Sequence, residues 1–346
     1  MALNNLHMRG LSIMDIKYSI VATVYNDERE VEYFLSNLLN QTYAPEEIII
    51  TDGGSTDKTI DIIKKIILKN KKLIKLYYGK RMGFSRGLNH SISRATTDYI
   101  AIAATGNKYN NDFYEKLLEG ICKQKLDIVY GTIIGEAKTT FQELYSKTFI
   151  TNLDKDGLKI ISNHGMIVNK KVFEHSGYFY EGFLHCGEDA EWPMRISNIR
   201  YKIGCIPQAK LIWETPKNLK EYNAQVEGYL IAWLQIYSAK ILFSKLWLGF
   251  LRIILCMAGI VFSIKKSTRK TGKLLLFCKI LDDSFDCTKN GIRQTLLNRY
   301  TELVRIFLLF KDIKYLFPKN RVNFKKNPIF LDKMRDKDIK IFCDGL

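Results

Sequence analysis

Patterned cysteine is missing from this chain. Seven cysteines (122, 186, 205, 256, 278, 287 and 343) are scattered over 346 residues, and no CxxC pair occurs. Neither a zinc site nor a disulfide framework is indicated, and Cys186, a lone thiol, reads as small packing material. Residues 1–16 lack the apolar core of a signal peptide; Met8 and Met14 offer later starts, and no function attaches to this extension. No GxGxxG follows the first apolar run. The segment Gly53-Gly54-Ser55-Thr56-Asp57-Lys58-Thr59 has no Gly-Lys-Ser/Thr ending. Dinucleotide and ATPase readings therefore lose their main support. Carboxylates are also absent from one long stretch, between Asp98 and Asp112.

What is present begins with two β-branched runs, Ser19–Val24 and Glu47–Thr51, each stopping in a polar, acidic loop. Between them, Val31, Phe34, Leu35, Leu38 and Leu39 recur with a helical period over Arg29 to Gln41. Strand, helix, strand over this length is a βαβ unit, so the two strands are expected to be parallel neighbours. Ligands of open α/β sheets bind beyond the carboxyl ends of such strands. An aromatic ring at Tyr25 with carboxylates at Asp27 and Asp52 suits a nucleobase and ribose, and Gly54 and Ser55 offer backbone amides. The alternative is that Asp52, Ser55 and Asp57 merely cap the next helix.

These segments resemble the opening of the family 2 glycosyltransferases, which have the GT-A fold. Thr23-Val24-Tyr25-Asn26-Asp27 and Ile50-Thr51-Asp52-Gly53-Gly54-Ser55-Thr56-Asp57 carry the likeness. Gly83–Asn89 is similar to the family's third helix start, and Thr97–Ile102 to its fourth strand. Gly187-Glu188-Asp189-Ala190-Glu191-Trp192 resembles the acceptor-side Glu-Asp motif, with Arg195 a turn later. Gln225 stands where many members carry Gln-x-x-Arg, here with Gly228 in the Arg place. The resemblance spans about Lys17 to Ser238. It implies an α/β, mainly parallel sheet flanked by helices, and an inverting hexosyltransferase-type enzyme. Such an enzyme moves a sugar from a nucleotide diphosphate, UDP by family frequency, to an acceptor hydroxyl.

The resemblance assigns Asp189 as the base that takes the acceptor proton, with Glu188 orienting the acceptor or capping the helix. A helix start is expected to hold the Asp189 carboxylate ionised and to lower its basicity. Thr23, Tyr25, Asp27, Asp52, Gly54, Ser55, Arg81, Asn107 and Lys108 are the donor-side candidates; His185 and Gln225 are the acceptor-side ones. The family's metal-holding Asp-x-Asp is altered. Ala104 and Gly106 stand where the acids belong, and Trp213 occupies the place of a late histidine. A hard cation needs oxygen ligands, so no metal ligand is assigned, although Mn²⁺ or Mg²⁺ stays open as a cofactor. Lys108 and Lys80 or Arg81 would instead neutralise the leaving diphosphate. The competing reading is a degenerate nucleotide-sugar-binding protein or a membrane scaffold.

Charge divides the chain. Of its 53 Lys/Arg and 36 Asp/Glu, residues 241–346 hold 22 and 9, most of the net +17. This third also contains Leu246–Ile264 with the single charge Arg252, followed by Lys265, Lys266, Arg269 and Lys270. A crossing would set those cations on the far side of the membrane, against the positive-inside tendency. A helix lying in the interface satisfies them better. Residues 1–16 are thus read as an extension, 17–240 as the catalytic domain and 241–346 as a basic helical membrane-association region. The expected partners are a donor nucleotide sugar, a glycan or lipid-linked acceptor and the cytoplasmic face of the cell membrane. Nucleic acid is not among them.

Overall fold

The computed structural model describes residues 12–70, 73–150, 165–183, 186–196, 201–236, 247–251, 253–255, 257–258, 292–312 and 340–342. Strands β1 (Tyr18–Val24) and β2 (Glu47–Asp52) are buried along their whole length, as near-continuous apolar runs with both faces covered should be. They pair in parallel, Ser19 opposite Glu47 and Val24 opposite Asp52. β3 (Ile74–Tyr78) joins β2 and β4 (Tyr99–Ala103) joins β1, also in parallel. Among the described residues the sheet has nine strands, in the order β5-β8-β6-β7-β4-β1-β2-β3-β9. Its remaining members are β5 (Asn107–Tyr109), β6 (Ile128–Gly135), β7 (Gly165–Asn169), β8 (Ile203–Trp213) and β9 (Lys340–Phe342). β7 enters antiparallel between β4 and β6, and β9 lies antiparallel on β3.

Alternation along the strands builds two cores. Ile20, Ala22, Val24, Ile48 and Ile50 face one side, under α1 (Val31–Leu39), α2 (Thr59–Lys69) and α4 (Phe113–Gln124). Val21, Ile49, Ile100 and Ile102 face the other, where α3 (Phe84–Arg94), α6 (Lys170–Ser176) and α7 (Glu188–Ile196) cover them. This period of two is the pleat itself. α3 begins after Gly83, and it can sit on β1 only because residue 87 is glycine. A Cβ there would lie 2.3 Å from Thr23 Oγ1.

A third cluster ties the later part of the chain to this domain. Tyr145 of α5 (Thr140–Phe149) and Tyr222 and Val226 of α8 (Leu219–Ile236) pack with Leu297 of α9 (Ile292–Asp312). Asn223 and Tyr300 exchange hydrogen bonds, and the Tyr222 hydroxyl meets Thr301. Arg305 lies over the Trp233 ring at 4.4 Å. Residues 246, 252, 256 and 259–264 of the apolar run and all of 265–270 lie outside the described residues. No helix of the described residues is long and apolar enough to cross a membrane.

Glu47, at the start of β2, is a buried carboxylate with every bond filled. It accepts from Ser19 Oγ at 2.8 Å, from Thr96 N and Oγ1 at 2.7 Å each, and from Lys75 Nζ at 2.6 Å. Burial raises its pKa, but the bonds from Lys75 and Thr96 outweigh it and hold the carboxyl below its ordinary range. A depressed folded pKa gives stability that is present above the unfolded value and lost as pH falls through the folded one. Glu47→Gln should therefore cost about 2 kcal/mol at pH 7. In denaturant titrations, the gap to the wild type should close as pH is lowered below about 4.3. A pH-independent gap would mean that shape, not charge, is what Glu47 supplies.

Candidate active site

Because β1, β2, β3 and β4 run in parallel, the loops after Val24, Asp52, Tyr78 and Ala103 leave one edge of the sheet. The donor-side candidates gather there. Asp52 is fully buried, and its Oδ2 accepts from Gly54 N at 2.8 Å and Ser55 N at 2.9 Å. Its Oδ1 is buried with no hydrogen-bond partner. The amides of Gly54 and Ser55 are thus spent on holding this carboxylate, not left open for a phosphate. Gly54 adopts φ +90°, where a side chain would be strained, and a Cβ there would lie 3.0 Å from Arg81 Cα. The Ser55 hydroxyl accepts from Asn26 N at 2.8 Å, locking the first acidic loop to the second.

Tyr25 is exposed, and the Arg81 guanidinium lies over its ring at 3.8 Å while donating to Gly53 O at 2.9 Å. One face of the ring expected for a base is therefore occupied by a cation. Asp27 Oδ2 accepts from Tyr25 N at 3.1 Å and from Thr105 Oγ1 at 3.0 Å. Burial raises the Asp27 pKa in spite of both bonds. Thr23 is placed differently from its expected role: buried, it donates its hydroxyl to Thr51 O at 3.0 Å. It shapes the site through β1 packing.

At the end of β4, the sequence offers Ala104 and Gly106. Ala104 N donates to the Tyr109 hydroxyl, and Gly106 turns with φ +79°. Asn107 is buried in β5, its amide 3.4 Å from the Tyr109 hydroxyl. Lys108 Nζ sits 2.6 Å from Glu136 Oε1, and Lys138 reaches the same oxygen at 2.8 Å. The bond to Glu136 raises the Lys108 pKa, so the lysine stays charged. Two cations share one carboxylate, and Glu30 and Glu214 line the same hollow as Gly106, Lys108 and Lys138. Among the described residues, no three His, Cys, Asp or Glu side chains group to hold a metal. Glu136 was not visible from sequence, because β6 brings it to Lys108 from 28 residues away.

The acceptor-side motif starts α7. Gly187 has φ +130°, and its carbonyl accepts from Ala190 N and Glu191 N. A Cβ at 187 would lie 2.8 Å from Ala232 Cβ, so the turn and α8 fit closely. Arg195 then bolts the helix down. It pairs with Glu191 at 2.8 Å and donates to the carbonyls of Ser176 and Tyr178, while Trp192 stacks on Phe173. Asp189 is half-buried at the first turn, and Glu188 is buried beside it.

The expected effect of the helix start on Asp189 is reversed. Burial raises its pKa, and the amides of Asp189 and Ala190 oppose this only in part. Desolvation outweighs the dipole, whose influence at a surface helix end is modest. Cys186 responds to the same buried charges: its thiol is pushed up to about 12 by burial, then by Asp189 and Glu188. Tyr229 of α8 is raised by burial and next by Asp189. Tyr229 is thus a neighbour of the carboxylate. Gln225, one turn earlier, accepts from the Tyr145 hydroxyl at 3.0 Å and lines an open hollow with Trp213, Thr215 and Lys217. His185 lies outside the described residues.

Residues 19–177 match the model of glycosyl transferase family 2. The chain is 29% identical over 259 residues to a Methanococcus voltae protein, covering 68% of this chain and 79% of the other. That protein is a dolichyl N-acetyl-alpha-D-glucosaminyl phosphate 3-beta-D-2,3-diacetamido-2,3-dideoxy-beta-D-glucuronosyltransferase. It is 34% identical over 113 residues to an uncharacterized glycosyltransferase of Haemophilus influenzae, spanning 33% of this chain but only 45% of that relative. Its fold is similar to that of a Pyrobaculum calidifontis mannosyltransferase in complex with GDP-Man and Mn²⁺. That likeness has a TM-score of 0.56 at 15% identity, over 86% of this chain and 87% of the other. The sheet and its flanking helices are thus a GT-A fold.

A raised folded pKa on an acid means that the native chain binds the proton more tightly than the unfolded one. Stability then falls as pH rises through that window, and the cost is fully present at neutral pH. Asp189→Asn cannot ionise. At pH 7 its Tm should equal or exceed that of the wild type, by up to about 4 °C, with the gain shrinking as pH falls toward about 4 and gone below it. A clear loss of Tm would make Asp189 a structural carboxylate.

Proposed function

This chain belongs to glycosyl transferase family 2 through residues 19–177, and from that premise we propose an inverting hexosyltransferase-type reaction. It moves a sugar from a nucleotide diphosphate to an acceptor hydroxyl, in surface-glycan or lipid-linked glycan synthesis. The observation that carries the donor half is the buried, unpartnered Asp52 Oδ1, on a carboxylate whose other oxygen is held by the amides of Gly54 and Ser55. An acceptor atom left without a donor inside a folded site costs free energy. A base N–H, as uracil presents at its imide, would satisfy it. Tyr25 supplies a π-face beside it, and Asp27 an acceptor for a ribose hydroxyl. The GDP-Man of the fold neighbour and the sugar-phosphate lipid of the Methanococcus relative support the substrate classes.

Inversion requires the acceptor oxygen to attack the anomeric carbon from the face opposite the leaving diphosphate while losing its proton. Asp189 is the group to receive that proton, since its raised pKa makes it a stronger base than an ordinary aspartate. Glu188, Gln225 and Tyr229 stand on the same side of the site, as positioning groups for the acceptor. We infer that the Asp-x-Asp place is altered in function as well as in letters. Ala104 and Gly106 offer no carboxylate, so the residues present do not fit a divalent cation. Charge on the leaving diphosphate is met by Arg81 and by Lys108 and Lys138, which exchange their shared partner Glu136 for the phosphate oxygens. The working place of such an enzyme is the cytoplasmic face of the cell membrane, where its donor is made.

A panel of UDP- and GDP-sugars, assayed for nucleotide release in EDTA and with added Mn²⁺, tests the reading. Release in EDTA is expected, falling about 10² to 10⁴-fold in Asp189→Asn. The acidic limb of kcat/KM should sit above the ordinary aspartate range of about 3.9. Lys108→Met should cost roughly 10-fold or more in kcat. Activity only with Mn²⁺ would sink the metal-free reading. Absence of turnover with every donor would leave a nucleotide-sugar-binding protein.

A further inference from the structure

We propose that an anionic bilayer surface docks on an apolar face shared by α9 and the helical residues 247–251, 253–255 and 257–258. Trp247 (65% exposed), Phe250, Ile254 and Met257 (55%) are all exposed. Their 3-4-3 spacing places them on one stripe of a helix. The flank of the stripe marked by Gly249 and Ile253 is the packed one: Ile253 is 7% exposed, and a Cβ on Gly249 would lie 3.5 Å from Glu302 of α9, while Leu248 is exposed off the stripe. α9 in turn leaves Leu303 and Phe307 (75%) in solvent, four residues apart, while its Leu297 and Thr301 are buried. A single exposed apolar side chain is ordinary. Six on two adjoining helical elements, each with its own packed inner side, form a patch of the kind that meets a partner.

Charge selects the partner. Residues 241–346 carry 22 Lys/Arg against 9 Asp/Glu, and Lys265, Lys266, Arg269 and Lys270 follow the stripe in the sequence. Basic residues that follow an apolar, tryptophan-bearing stripe in the sequence match the headgroup region of an anionic membrane. The contact is a seat in the interface, with Trp247, Phe250 and Phe307 reaching to the headgroup–acyl boundary. It also explains the position of α8. That helix packs on α9 through Tyr222 and Val226, and it carries Tyr229 beside Asp189 one to two turns later. A lipid-linked acceptor held at the bilayer would thus approach the base along α8. The proposal rests on the membrane partner named above, not on the transfer chemistry.

Flotation of the full chain tests it, with phosphatidylcholine vesicles, alone or mixed with phosphatidylglycerol, at low and high salt. Binding is expected to the mixed vesicles, to weaken with salt, and to fall at least about tenfold in a Trp247→Ser/Phe250→Ser chain. The variant's Tm and its binding of donor nucleotide report separately on folding and on the donor site. Should that variant fail to fold, quenching by brominated lipid in the wild type, compared with Trp247→Phe, reads the same contact. Vesicle binding unchanged by the double substitution would overturn the proposal, as would an unquenched Trp247. So would a wild type that ignores vesicles but forms dimers the variant cannot, since the face would then join copies of the chain.

Discussion

Everything in this molecule hangs on the burial of β1. Its seven residues are excluded from water on both faces, so their backbone groups must be satisfied by neighbouring strands. Parallel partners on both sides, β2 and β4, do this. Parallel strands end together, and four loops are thereby delivered to one edge. Aspartates far apart in sequence become neighbours through hydrogen bonds between loops, such as Asn26 N to Ser55 Oγ and Thr105 Oγ1 to Asp27 Oδ2. The site is a by-product of strand direction.

Solvent exclusion then sets the chemistry of the edge. Asp27 lies on the loop after β1 and Asp189 in the first turn of α7, yet burial moves both upward. In each, a few hydrogen bonds to the charged form fail to offset desolvation. Glu47 is the counter-example: also buried, it gains a lysine and three further donors and moves down. Its partners make the difference. A carboxylate left short of donors is one available to a substrate, and Asp52 Oδ1 belongs to the same class.

The periodicity of Val31 to Leu38 and the two β-branched runs were enough to read the βαβ unit and its active edge. Gly83 as the start of α3 and Asp189 at the start of α7 were equally legible, because turns and helix starts are written in adjacent residues. Roles that depend on distant partners were not. Thr23 was offered to the ligand, but Thr51 and Gly87 claim it. Lys108 read as a bare cation, whereas Glu136 arrives from β6. The dipole argument for Asp189 used the helix alone and missed its burial. Nothing local in the sequence marks the approach of Tyr229 to a carboxylate.

The edge strand β9 has a consequence for how the chain is made. Lys340 to Phe342 pair with Tyr78 to Leu76, joining nearly the last described residues to a strand formed early in synthesis. Domains fold as they leave the ribosome, amino end first. The four parallel strands can therefore assemble long before β9 exists, with the outer edge of β3 presenting unpaired amides and carbonyls. Such an edge is a template for any other strand. Throughout the interval in which the rest of the chain is translated, the nascent protein must be kept from its neighbours, and chaperone demand should be greatest then.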